Sequence, residues 1–591
     1  MILIVDYIKI RKTKPLKQIL SRTGIWAVCI LFLAGCMPGT SKIVRPTLEK
    51  KNEFKSKIPE RAPNGYYFFV EARLQEKKGN RPAAIKHLIK AIENDSDSLF
   101  LQKELGALYV DLGENQKALE VVNKILAADP DNLEALLMYG RINQMLKNFR
   151  LAAQTYEKVI KIDPLKQGVY LLLGGIYLDA DDLQGALRIF NSLVDHFEDS
   201  YAGYFFLGKV FVAKGNIVEA EKYFKKSLSL EPRLEEPRFE LLNLYKSSEN
   251  SEKIVDTYLD ILEQNPNNAR ASLELAYFYD QNGPSDKAAV ILKDLGRKSR
   301  TDTNIVRKIV QLYLEPADYE TVLVLIEGML EGAPESSDLH YIAAMAHDGI
   351  KNDTGAMLHF KQVKKDSRFY RNAVIHISFL YHKTGEIKKA VAYLEDVLKN
   401  IPANIDILMY LGSFYEDLED YARAEQTLVR ALGLNAENVE LNFRLGVIYD
   451  KLGKKEHSID QMKKVIELDP ENANALNYLG YTYADLGRNL DEAEKLILQA
   501  LQYKPDDGYI TDSLGWVYFQ KGLFKKALKY LEKAAGLVPD DPIILEHLGD
   551  AFRAQNNQEK ALEAYRRSLL NKNKNPTSLK KKIWELTGPE S

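Results

Sequence analysis

The sequence predicts an all-α solenoid of about fifteen helix-turn-helix repeats closed by a C-terminal capping helix. Three observations predict it. First, a small residue recurs every 34 positions: Ala72, Gly106, Gly140, Gly174, Gly208, and later Gly412, Gly446 and Gly480. After one inserted residue the series resumes at Gly515 and Gly549. Between Gly208 and Gly412 the same frame holds Leu242, Ala276, Val310, Ala344 and Ser378, so the middle has diverged while keeping register. Second, an alanine follows 12 residues later in most repeats, as at Ala84, Ala118, Ala152, Ala186, Ala220, Ala390 and Ala424. Third, proline closes many repeats, including Pro130, Pro164, Pro266, Pro402, Pro470, Pro505 and Pro539.

Each element of the repeat has a physical reason. A small residue at the crossing lets the two helices of a hairpin approach closely. An aromatic four residues after the alanine (Tyr156, Phe190, Phe224, Tyr258, Phe360, Tyr565) supplies apolar surface to the hairpin. Gly79, Gly113, Gly215, Gly385, Gly453 and Gly522 suit the left-handed position that ends a first helix. The closing proline cannot continue the second helix. One hairpin cannot bury its apolar stripe alone, so neighbours stack and share a core. The frame runs from 65 to 575, with 34 residues in every repeat except 473–507. Residues 576–591 follow as a capping helix and tail, with Asn575 as N-cap, Pro576 as first residue, and Leu579, Ile583 and Leu586 covering the last hairpin.

This pattern resembles the tetratricopeptide repeat. The resemblance implies a right-handed superhelix and a non-catalytic protein-binding scaffold. It also implies that the first helix of each repeat lines a concave groove through its positions 2, 5, 9 and 12. Those positions here are strongly apolar, among them Tyr66, Phe69, Phe100, Phe205, Phe239, Tyr341, Phe379 and Phe443. Contiguous apolar patches mark interaction surfaces, although single side chains among them can pack on neighbours. The strongest candidate lies in repeats 13 and 14. There Asn474, Asn477 and Asp512 are placed to hold a peptide backbone beside Tyr481, Tyr509, Trp516 and Phe519. Chaperone-binding members of the family grip a carboxylate with a defined Lys and Asn set. No run of repeats reproduces that set, so the resemblance does not carry a carboxylate clamp here.

The N-terminus reads as an address. Residues 1–24 carry six basic residues and one acid, then Ile25–Gly35 is an apolar run ending at Cys36. Eleven residues are too few to span a bilayer, which takes about twenty. The size fits a signal-peptide core. Leu33-Ala34-Gly35-Cys36 resembles the lipobox of bacterial lipoproteins, which implies removal of 1–35 and lipid attachment at Cys36. Met37 at the following position implies sorting to the outer membrane. Residues 36–64 then form a basic tether, read either as resting on anionic headgroups or as a plain solvated linker.

Composition excludes other classes. Two cysteines exclude a disulfide framework, and Cys29 lies within the segment to be removed. A net charge of −2 excludes a globally basic nucleic-acid binder. Residues 1–35 carry +5 and residues 36–64 carry +4, which leaves −11 for 65–591. Gly203–Val210 resembles a phosphate-binding loop up to Lys209, but Val210 cannot ligate magnesium and no strand precedes it. His340, His347 and His359 lie close in sequence without a metal-binding spacing, and they read, with His376 and His382, as structural. With 65–587 wholly absorbed by repeats and cap, no catalytic, cofactor or metal site is expected.

A narrower resemblance covers Asn477–Asp485, Asp512–Tyr518 and His547–Asp550, which are similar to the C-terminal repeats of proteobacterial repeat lipoproteins. One member of that group binds a periplasmic C-terminal processing protease and presents substrates to it. The expected role is thus an envelope scaffold whose partners are proteins or extended peptides in the periplasm. An assembly factor for an envelope, secretion or exopolysaccharide-export machine fits equally, with glycan as another occupant of the groove. An enzyme subunit fits less well, and self-association stays open.

Overall fold

The computed structural model describes residues 64–571 and 576–588. The expected signal peptide, Cys36 and nearly all of the tether lie outside the described residues, as does Asn575. The described residues form thirty-one α-helices and one π-helical stretch, with no strand. The chain divides into two compact parts, Met1–Ala271 and Ser272–Ser591, with the division inside the helix Ala269–Asn282. The first part holds six antiparallel helix pairs, from Gly65–Lys77 with Arg81–Asn94 to Glu236–Ser247 with Ser251–Gln264. The second continues the same alternation to Gln558–Leu570 and ends with Pro576–Thr587.

Local chemistry sets the helix ends. First helices begin at a polar cap that accepts from the backbone two or three residues on. Asn132 accepts from Ala135, Asn404 from Ile407 and Asn472 from Ala475, at 2.9–3.1 Å. They end in a left-handed turn. At Gly453 (φ +74°) the backbone N–H donates to Asp450 O at 2.9 Å, and the Lys454 N–H donates to Tyr449 O at 2.8 Å. The inserted residue of repeat 13 is absorbed in that turn, which spans Leu486–Asn489 and carries Asn489 at φ +51°.

The crossing residue does a different job from the one its spacing suggested. What it admits is chiefly a side chain of the second helix, not a second backbone. A Cβ on Gly140 would sit 2.5 Å from the Tyr156 ring, and one on Gly208 would sit 2.5 Å from Phe224. Gly174 faces Phe190, and Gly549 faces Tyr565, in the same way. These rings are fully buried. Where the partner is aliphatic the glycine persists, as with Gly515 against Leu531 and Gly480 against Ile497. The alanine of the second helix (Ala84, Ala152, Ala220, Ala390, Ala527) is buried throughout.

Repeat 8 departs from the pattern. Its frame position is the β-branched Val310, and from there the helix Thr303–Ile309 continues as a π-helix, Val310–Leu314. Here two second helices, Ser285–Ser299 and Tyr319–Leu330, meet directly. A Cβ on Gly296 would strike the Met329 carbonyl, and one on Gly332 the Lys293 carbonyl. This is the close backbone approach that the sequence placed in every repeat.

At the C-terminus Leu579 is fully buried, and Ile583 and Leu586 pack on the same core as Leu548, Phe552 and Tyr565. The helix Pro576–Thr587 therefore covers the last hairpin.

The glycine–ring packing yields a double-mutant test. Gly208→Ala should destabilise the first part by about 1–3 kcal/mol, read by urea unfolding, because the ring cannot give way in a packed core. In the Phe224→Ala background, where no side chain reaches the glycine, the same change should cost less than half as much. Equal costs in both backgrounds would show that the ring is not what the glycine accommodates.

Candidate functional site

The site predicted in repeats 13 and 14 is built on three consecutive first helices: Ala473–Asp485, Gly508–Gln520 and Pro542–Ala554. All three lie in the second compact part. Six of the seven predicted residues separate into a rim, a floor and one buried support, and the seventh, Asn477, is half-buried.

Asn474 and Tyr509 form the rim. Tyr509 is 55% exposed. Asn474 is exposed too, and its Oδ1 accepts from Lys504 Nζ at 2.9 Å. Tyr481, Trp516 and Phe519 form a half-buried floor. The Trp516 ring stacks on His547 with centroids 4.1 Å apart and on Phe519 at 4.9 Å. Trp516 is therefore engaged by two rings and is less open than a lone groove tryptophan would be. Burial pushes the Tyr481 hydroxyl pKa up, and the charges of Asp485, Asp512, Asp450 and Glu546 push it further.

Asp512 was expected to face a bound backbone, and the structure corrects this. It is 5% exposed, and both its oxygens accept from Nδ1 of the buried His547, at 3.0–3.1 Å. Position 5 of the helix Gly508–Gln520 points at the next repeat instead of into the groove. The pair holds the imidazole flat against Trp516, so Asp512 orients the floor without touching a partner.

Two polar atoms in the site are buried with no hydrogen-bond partner: Asn477 Oδ1 and Trp516 Nε1. One is an acceptor and the other a donor. Both are closed off from solvent, and an unmade buried hydrogen bond costs about 1–3 kcal/mol.

Sequence reading missed His547, Lys582 and Asp550. Lys582, from the last helix, bridges Glu546 at 2.8 Å and Asp550 at 2.7 Å. The Tyr565 hydroxyl donates to Asp550 Oδ1 at 2.6 Å. The available signal was the recurrence of a polar residue at position 5 or 6 of successive first helices: Asn477, Asp512, His547.

The other residues singled out have structural partners. Gly203–Val210 lies inside the helix Tyr201–Ala213, and Lys209 pairs with Glu240 at 2.8 Å. His340 Nδ1 lies 3.0 Å from His359 Nδ1, and its Nε2 lies 2.9 Å from Pro334 O. Burial and the neighbouring imidazoles push His359 down to about 4. Among the described residues no three His, Cys, Asp or Glu side chains are grouped to hold a metal ion. Groove aromatics elsewhere pack on one another along the first helices, as Phe69 does on Phe100 at 5.4 Å and Phe379 on Tyr410 at 4.9 Å.

Models of the tetratricopeptide repeat match residues 99–142, 134–165, 171–233, 380–439, 439–472, 462–495 and 513–576. Together they cover just over half of the sequence. The chain belongs to the tetratricopeptide-repeat family. Its fold is thus an all-α repeat solenoid, and repeats of this family serve as scaffolds for protein interaction. It is similar to TPR repeat-containing protein MJ1428 of Methanocaldococcus jannaschii, 23% identical over 368 residues, or 62% of this chain and 57% of that protein. TPR repeat-containing protein YpiA of Bacillus subtilis is 20% identical over 55% of this chain and 77% of its own length. TPR repeat-containing protein PA4667 of Pseudomonas aeruginosa is 41% identical over 59 residues, 10% of either chain. The chain thus spans little more than half of the archaeal relative, and 14% and 35% of two Schizosaccharomyces pombe relatives. Among solved structures, that of Naa15/Naa10 bound to HypK-THB aligns over 88% of this chain and 96% of its own, with TM-score 0.37 and 12% identity. MamA aligns over 28% of this chain and 95% of its own, with TM-score 0.26 and 28% identity.

The His547–Asp512 pair gives this tetratricopeptide-repeat site a pH signature. Burial alone would lower the His547 pKa, but the charge and hydrogen bond of Asp512, with Asp550 and Glu546, raise it above the usual 6.5. A raised folded pKa stabilises the fold fully below the unfolded value and is lost as pH rises through the folded one. Urea unfolding of the C-terminal repeats should therefore show stability falling as pH rises above the usual histidine value of 6.5, and His547→Gln should flatten that slope. An unchanged slope in the variant would contradict the pairing.

Proposed function

We propose that this chain is a non-catalytic scaffold, anchored by lipid at Cys36, that holds protein partners in the bacterial envelope through the groove of repeats 13–15. The observation that carries the groove is the half-buried floor of Tyr481, Trp516 and Phe519, its indole stacked on His547 and Phe519, with the exposed Tyr509 and Asn474 at the rim. Such a site fits an extended segment. A side chain of that segment would lie on the floor of Tyr481, Trp516 and Phe519.

The envelope reading rests on the lipobox-like Leu33–Cys36 and the basic run before it. The lipid places the scaffold on the periplasmic face of the outer membrane, with Met37 as the sorting feature. Presentation of substrates to a periplasmic protease is the more specific role, and it rests on the resemblance of 477–550 to repeat lipoproteins. Assembly of an envelope, secretion or export machine is the alternative, in which the groove holds a component of the machine.

The test is quantitative pull-down from the native envelope. Asn477→Ala with Tyr509→Ala should lower recovery of at least one partner about tenfold, the effect of losing a central contact, with helicity unchanged. Val218→Ala, at a 75% exposed residue on the helix Ile217–Leu230, should leave recovery intact. Unaltered recovery of every partner in the groove variant would overturn the site.

A further inference from the structure

The first helix of the solenoid, Gly65–Lys77, exposes a stripe that later repeats bury. In the following repeats of the first part, the third and tenth positions of the first helix are covered: Leu101 and Leu108, Ala135 and Ile142, Val169 and Ile176 are all buried. The cover is the second helix of the preceding repeat, since a Cβ at Gly203 would meet Leu193 and Val194. In repeat 1 the same two positions are Tyr67, 49% exposed, and Leu74, 42% exposed. Val70 lies between them and is exposed as well, Tyr66 flanks them, and Lys77 and Lys78 continue the same helical face. Among the described residues no helix precedes this one.

Charge says what covers it. The hairpin Gly65–Asn94 carries Arg73, Lys77, Lys78, Arg81, Lys86 and Lys90 against Glu71, Glu76 and Glu93, a net +3 in a 65–591 segment of −11. Arg73 is paired with Glu76 and Glu104. A second copy docked through the same hairpin would bring this positive surface against itself. An anionic surface would neutralise it. The tether adds +4 immediately before it.

We propose that the open face of the first hairpin docks on an anionic lipid surface. Tyr66, Tyr67, Val70 and Leu74 enter the headgroup region while the flanking lysines meet lipid phosphates. This rests on the lipid-anchor reading above and adds a second contact that fixes how the scaffold stands on its membrane.

The experiment is hydroxyl-radical footprinting of the full-length lipidated protein in nanodiscs of phosphatidylcholine alone or mixed with phosphatidylglycerol. Labelling of Tyr66, Tyr67 and Leu74, normalised to Val218, should fall about threefold in the anionic discs and recover at high salt. Tyr67→Ser with Leu74→Ser should abolish the salt-sensitive protection of Tyr66. Equal labelling in both discs, whether high or low, overturns the proposal. So does protection that appears only with two copies per disc. Incorporation of labelled fatty acid into the wild type and not into Cys36→Ser tests the anchor separately. Label without protection sinks the docking face alone, and protection without label sinks the anchor alone.

Discussion

The solenoid depends on one contact, repeated. A glycine in the first helix receives a side chain from the second, a ring in four hairpins and a Leu, Ile or Met side chain in four more. The contact sets how closely the two helices of a hairpin pack, and therefore where the next hairpin can stack. Gly140 with Tyr156, Gly174 with Phe190, Gly208 with Phe224 and Gly549 with Tyr565 share one geometry across more than 400 residues. Neighbouring repeats within each part then share buried cores, so no single hairpin has to be stable alone. Where the contact is lost, at Val310, the helix rewinds into a π-turn and three glycines (Gly296, Gly328, Gly332) support a different crossing. That exchange shows the constraint as clearly as its repetition does.

The groove at repeats 13–15 is built from the same frame. Positions that lie outside the hairpin core carry Tyr481, Trp516 and Phe519, and the next repeat supplies His547 to stack beneath the indole. Asp512 fixes the imidazole, and Lys582 from the last helix ties Glu546 to Asp550. The capping helix thus closes the core and also braces the helix that carries His547. A site of this kind is largely pre-packed, and a partner would meet a set floor.

The fold was legible in the sequence because its determinants are local and periodic. Gly453 could be assigned to a left-handed turn from spacing alone, and Leu579 to the cap from its helical phase. The purpose of the crossing glycine was not legible. Spacing shows that a residue is small without showing whether a backbone or a ring fills the space. Asp512 was misread for a related reason. A carboxylate beside aromatics in a groove helix looks available until the partner 35 residues on, His547, is placed against it. Trp516 and Asn477 were singled out from their positions in the repeat frame, but their unpartnered atoms emerge only when every neighbour is in position. The Tyr and Phe excess divides between buried rings opposite glycines and rings that pack along the first helices.

The central claim is that this pre-packed groove is where the scaffold holds its partner. The most direct measurement is photocrosslinking in the native cell from a reactive residue at position 509, compared with one at position 218. The account predicts a discrete partner adduct from 509 that is lost when Asn477→Ala is added, and none from 218. Adducts from 218 with none from 509 would contradict it.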